Sequence, residues 1–190
     1  MLIDPYNRNI DYLRISVTDR CNFRCIYCMP EYGVLQKEPQ EILTFEEIAK
    51  IAELAVGIGI NKIKVTGGEP LVRRGLPQIL ELLSFVPGLK DLSLTTNGLL
   101  LKNYCQELKK AGLAKLNISI DTLDSQKFQY ITKLENLKDV LEGIDFAIKE
   151  GFFVKLNVVI MRGVNDNEIL DFVRFAKSRG IIVRFIELMP

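Results

Sequence analysis

The sequence predicts an α/β fold built on a six-stranded parallel sheet, and three observations predict it. Short runs of alternating apolar and polar residues recur along the 190 residues. Amphipathic stretches with helical spacing lie between them. Glycines and capping residues stand at the joints. Period-two alternation reads as strand, and apolar positions at i, i+3 and i+4 read as helix. A β-then-α unit repeated at this length implies parallel strands joined by right-handed crossovers. Six such strands make either a partial (β/α)6 parallel barrel or an open doubly wound sheet.

Taken in order, strands are expected at 13–18, 62–66, 91–95, 115–120, 154–160 and 182–186, and helices at 45–56, 76–85, 102–111, 137–149 and 168–178. Thr44 and Glu47 are spaced as a capping box, and Asn165 with Glu168 as a second. Gly57, Gly112, Gly151 and Gly180 each fall where a helix should end. No linker or low-complexity tract divides the chain, so residues 1–190 read as one domain. It stops at Pro190, just after a strand, and a further C-terminal part is expected to be missing.

The strands are less apolar than buried parallel strands, which usually read as continuous apolar runs. Arg14, Ser16 and Thr18 share one face of the first. Lys62, Lys64 and Thr66 share one face of the second, and Asp91, Ser93 and Thr95 one face of the third. Lys115, Asn117, Ser119 and Asp121 follow on the fourth, Lys155 and Asn157 on the fifth, and Arg184 on the sixth. The apolar faces must meet the helices. The polar faces then line either a lumen that holds water or a large anionic ligand, or a solvated sheet face, which parallel sheets rarely have.

Composition excludes several chemistries. There is no His, which removes Ser-His-Asp triads, Cys-His dyads and histidine metal ligands. The net charge of +1 gives no global field for nucleic acid or a membrane surface. The first twenty residues lack a signal-peptide core, and no apolar run is long enough to span a bilayer, so a cytoplasmic protein is expected.

Three of the four cysteines fall in Cys21-Asn-Phe-Arg-Cys25-Ile-Tyr-Cys28, immediately after the first strand. α/β enzymes place their chemistry at that end of a strand. Three thiolates can ligate three irons of a cubane cluster and leave the fourth open to an exogenous ligand. Structural zinc is the alternative, but it normally takes four Cys or His ligands. Cys105 lies far away in a helical pattern and reads as a small core residue.

This Cys-x3-Cys-x2-Cys motif, with an aromatic before its last cysteine, resembles the radical S-adenosylmethionine (SAM) superfamily. Thr66-Gly-Gly-Glu-Pro70, at the end of the second strand, resembles that family's glycine-rich segment. The resemblance implies a partial (β/α)6 barrel of the radical SAM type with a polar lumen. It implies a [4Fe–4S] cluster held by Cys21, Cys25 and Cys28. It implies SAM contacts at Tyr27, Gly67, Gly68, Glu69, Ser119 and Met189.

Further segments narrow the likeness. The stretches 13–25, 66–71 with Arg73, 94–98, 116–121 and 184–187 are similar to the N-terminal part of the GTP 3′,8-cyclases, which open molybdenum cofactor biosynthesis. That implies GTP as substrate, with Arg14, Lys62, Lys64, Thr95, Lys155 and Arg184 on its triphosphate. It also implies a reductant such as flavodoxin and a downstream pterin synthase, and leaves a homodimer open. The chain departs from that family's pattern in two places. Lys64 stands where Arg is usual, and 130–137 is shortened and lacks glycines. The family's C-terminal part, with a second cluster, lies outside these residues. Another radical SAM enzyme, a peptide maturase or an activase, is the alternative; it would share the cluster and SAM residues but not the cationic strand faces.

Overall fold

A computed structural model describes residues 2–30 and 32–189. The chain opens with a small antiparallel hairpin, β1 (Leu2–Ile3) and β2 (Asn9–Ile10). Six strands then alternate with helices: β3 (Tyr12–Ser16), α1 (Phe45–Gly57), β4 (Lys62–Thr66), α2 (Leu76–Ser84), β5 (Asp91–Thr96), α3 (Leu101–Lys110) and β6 (Lys115–Ser119). Two helices follow, α4 (Ser125–Thr132) and α5 (Leu137–Lys149), then β7 (Phe153–Ile160), α6 (Ile169–Arg179) and β8 (Ile182–Glu187). The six strands stand in chain order, every neighbouring pair parallel. The result is the partial barrel rather than the doubly wound sheet, since no strand crosses over an earlier one.

The six strands and five helices read from the sequence are all present, displaced by a residue or two at their ends. Strand 13–18 begins at Tyr12 and ends at Ser16. The capping box at α1 is as expected: Glu47 N–H donates to Thr44 Oγ1, and Thr44 N–H to the Glu47 carboxylate. Gly180 caps α6 in the left-handed region (φ 65°), whereas at α1 that conformation falls on Gly59, not Gly57. The hairpin and α4 were not expected.

The second capping box does not form. Asn165 makes no cap bond to its helix. Its side chain instead donates to the backbone carbonyls of Asp121 (2.6 Å) and Val159 (2.8 Å), and accepts from Met161 N–H. Glu168 is buried and accepts from Thr122 Oγ1, Leu123 N–H and Lys127 Nζ. Asn165 thereby ties the segment after β6 to the end of β7, and Glu168 ties that same segment and the start of α4 to the turn before α6.

The apolar strand faces pack on the helices. Ile15, Ile63, Val65, Leu94, Leu116, Ile118, Leu156 and Val158 join Leu80, Leu101, Val140, Ile144 and Phe172 in one continuous core. Cys105 is fully buried in it, and burial pushes its thiol up to about 11. Full burial of each Leu, Ile or Val contributes about 1.5–3 kcal/mol. The other face of the sheet carries the polar residues, and the loops at the carboxyl ends of the strands all gather at one rim.

Candidate active site

At that rim the cysteine loop is clamped from three sides. Asn97, after β5, donates from its amide to Asn22 Oδ1 at 2.7 Å. Arg24 N–H and Ile26 N–H donate to the carbonyls of Thr132 and Ile131 at the end of α4. Tyr27 Oη donates to Asp121 Oδ2 at 2.6 Å, and Asp121 Oδ1 accepts from Val159 N–H. Phe23 is buried and packs edge-on against Phe128 of α4, ring centres 5.7 Å apart. The Tyr27 ring is 37% exposed, but its hydroxyl lies deep against Asp121, and burial drives its pKa well up.

The glycine-rich segment is pressed against the same loop. Gly68 N–H donates to Thr18 O at 2.7 Å, and Glu69 N–H to Arg20 O at 2.8 Å. A Cβ on Gly67 would sit 2.6 Å from Thr18 O, and one on Gly68 would overlap Arg20 O. Only glycine permits this approach, which is a reason independent of any ligand for the Gly-Gly pair. Glu69 is 1% exposed. Its carboxylate accepts from Leu71 N–H (3.0 Å), Thr96 Oγ1 (2.7 Å) and Asn97 N–H (2.6 Å). Burial outweighs these donors and raises its pKa. Glu69 therefore braces β4 against β5.

Burial dominates the electrostatics of Cys21 and Cys25. All four cysteines are free; Cys21 and Cys25 are half-buried and Cys28 is exposed. Burial pushes the Cys25 thiol up to about 12, aided by the negative charges of Asp121 and the other two thiolates. Burial also raises Cys21. A nucleophilic cysteine needs the opposite, a cationic surrounding that lowers its pKa. Thiols repelled by one another and by carboxylates deprotonate when a metal cation supplies the missing charge.

The chain matches the model of the Radical SAM superfamily over residues 15–176. It belongs to that superfamily. As a radical SAM domain it takes a [4Fe–4S] cluster and SAM, and the three free thiols of Cys21, Cys25 and Cys28, gathered in one loop, are the donor chemistry that three iron sites need. Among similar proteins, the GTP 3′,8-cyclase of Thermodesulfovibrio yellowstonii is 52% identical over 189 residues, 98% of this chain and 59% of that protein. That of Peptoclostridium acidaminophilum is 53% identical over 191 residues, the whole of this chain and 59% of the relative. The chain thus spans about three-fifths of the length of these relatives. Solved structures share the fold. Streptococcus suis SuiB bound to its precursor peptide SuiA superposes with a TM-score of 0.81 at 18% identity, covering 94% of this chain and 39% of that one. Methylornithine synthase superposes at 0.73, with 18% identity, over 94% of this chain and 53% of that one.

Around the radical SAM rim the expected residues fall in two groups. Tyr27 borders a cavity of about 1160 Å³ with Ile26, Met161, Arg162, Phe185 and Glu187, between the cysteine loop and the ends of β7 and β8. Ser119 closes β6 beside Asn157. Met189 is exposed beyond β8, outside that lining. The cations occupy the concave face of the sheet. Arg14 and Lys64 are register partners on β3 and β4. Thr95, Asn117 and Lys155 follow one another across β5, β6 and β7, and Arg184 sits opposite Asn157. Lys62, at the foot of β4, is exposed and donates to Asp11 at 2.7 Å. Lys62, Lys64 and Lys155 line a second cavity of about 350 Å³ at the amino ends of the strands.

Three residues at the site were not singled out from the sequence. Asp121 holds Tyr27, Asn97 holds the cysteine loop, and Asn157 turns into the lumen a buried carbonyl oxygen without a hydrogen-bond partner. Only period-two placement on the polar faces hinted at Asp121 and Asn157.

Proposed function

We propose that residues 1–190 form the SAM-cleaving core of a GTP 3′,8-cyclase, acting in the cytoplasm at the start of molybdenum cofactor biosynthesis. One observation carries this reading: a cationic strand face lies directly beneath a radical SAM cysteine loop, in a chain half identical to proteins of that name. SuiB and methylornithine synthase, each 18% identical, support the fold and not a substrate.

In this reading Cys21, Cys25 and Cys28 hold the cluster. Gly67 and Gly68 keep the rim free of side chains where the methionine end of SAM must pass, with Glu69 bracing their turn. Tyr27, Ser119 and Met189 contact SAM. When bound and reduced by an external one-electron donor, the cluster with SAM would supply radical chemistry able to abstract a hydrogen atom from the ribose of GTP, the chemistry that a bond between ribose and C8 of guanine requires. Arg14, Lys64, Thr95, Lys155 and Arg184 hold the triphosphate, with Lys62 at the outer end. Cations of this kind are natural phosphate partners. They fix the nucleotide's distance from the rim, which is where positioning gains rate. An external one-electron donor such as flavodoxin, a downstream pterin synthase and a homodimeric assembly complete the reading.

Anaerobic reconstitution with iron and sulfide tests it. The reduced protein should give a [4Fe–4S]⁺ EPR signal that changes when SAM is added, and should release 5′-deoxyadenosine faster with GTP than with ATP. Cys28→Ala should abolish both. A SAM-responsive signal with no preference for GTP would leave a radical SAM enzyme of another substrate.

A further inference from the structure

The amino-terminal mouth of the lumen holds an ion pair with no part in the chemistry above. Lys115 opens β6, Asp91 opens β5, and Lys115 Nζ donates to Asp91 Oδ2 at 2.6 Å. They are not register partners. Lys115 lies opposite Ser93, two residues above Asp91. Its ammonium therefore leans out of the row that runs Arg14, Lys64, Ser93 across the concave face.

Both side chains border the cavity of about 350 Å³, where four lysines surround Asp91 as the one carboxylate among the described lining residues. A lone carboxylate in an anion pocket repels the ligand unless it acts as a counter-ion that gives way. The pair is suited to that. Lys115 is 44% and Asp91 29% exposed, and ion pairs in such contact with water hold weakly. Asp91 Oδ1 is buried without a hydrogen-bond partner, so only one oxygen of the carboxylate is engaged. Lys155 is held below its ordinary range by partial burial and then by the charges of Arg184, Lys64 and Lys115, so Lys115 already belongs to the lumen's field. Lys62 differs, being engaged by Asp11 outside the barrel.

We propose that Asp91 and Lys115 form an exchangeable counter-ion pair that reads the outermost phosphate of the nucleotide. The phosphate replaces Asp91 as the partner of Lys115, and the pair reforms when the phosphate is absent. The inference rests on the reading of the lumen as a nucleotide site. It gives that site a means of telling a triphosphate from a monophosphate.

Calorimetric titration of the purified, cluster-loaded protein with GTP, GDP, GMP and inorganic tripolyphosphate tests it, with unchanged melting temperatures as the check on folding. Lys115→Met should weaken GTP and tripolyphosphate about tenfold, the scale of one charge-assisted contact, and leave GMP within about twofold. Lys115→Arg should keep the difference between GTP and GMP. Asp91→Asn, which removes the competitor, should tighten GTP and tripolyphosphate. If Lys115→Met weakens GMP as much as GTP, or weakens neither, the proposal is overturned. If tripolyphosphate depends on Lys115 while guanosine nucleotides bind no better than it does, the nucleotide reading fails and the counter-ion pair stands. If wild type binds no polyphosphate at all, both fall.

Discussion

At the scale of single residues, the rim is organised by buried polar groups that each serve a neighbour. Tyr27→Phe would leave Asp121 Oδ2 buried without its donor. That should cost about 1–3 kcal/mol, read as a lowered denaturant midpoint, and should loosen the cysteine loop enough to speed iron loss to a chelator. Gly67→Ala drives a Cβ to 2.6 Å from Thr18 O. The backbone must shift, and about 1–3 kcal/mol and much of the iron content should go with it. Glu69 gives a pH signature. Burial raises its folded pKa above the ordinary 4.5. Between the two values the native state therefore holds more protons than the unfolded state, and stability falls as pH rises. The contribution is complete below about 4.5 and lost as pH climbs through the folded value. Glu69→Gln should remove that slope, so the stability difference between variant and wild type should grow with pH from 4.5 upward. A difference independent of pH would show that Glu69 is charged in both states.

At the scale of elements, α4 is the support that the sequence concealed. Only Phe128, Ile131 and Thr132 of its eight residues are buried, too few to make a helical period stand out. Asp124, which caps it by accepting from Gln126 and Lys127 N–H, was the one available signal. Its end, at Lys133 in the left-handed region (φ 65°), falls in the shortened stretch that lacks glycines. The hairpin strands have two residues each, too short for alternation to register. The long elements were legible because their faces are consistent: polar against apolar on β3 to β8, apolar stripes on the helices. The cysteine and glycine motifs were legible because their spacing is local. Tyr27 with Asp121, and Asn22 with Asn97, are 94 and 75 residues apart and become neighbours only through the fold. Phe128→Leu should cost up to about 1.5 kcal/mol in a urea titration. Because Phe128 backs Phe23, it should also raise the rate of cluster loss, whereas an equally mild change on the outer face of α6 should not.

At the scale of the whole molecule, charge is sorted by location: the net charge is +1, yet Arg14, Lys64, Lys115, Lys155 and Arg184 share one concave face. Nucleotide affinity should therefore fall as salt is raised toward 1 M, where the screening length shrinks to about 3 Å. SAM binding at the rim should change less, and equal salt sensitivity of the two ligands would contradict this division. The strand order has a consequence in time. The ribosome delivers the three thiols by residue 28, but the carbonyls that clamp their loop belong to residues 131 and 132. At about 5–20 residues per second, the nascent chain carries an unclamped trio of sulfurs for of the order of 10 s. Iron delivered in that interval meets thiols that neighbouring backbone has not yet fixed. The loop is held on this side only once about two-thirds of this stretch has been made, so the sulfurs are the first part of the site to be synthesised and among the last to be fixed.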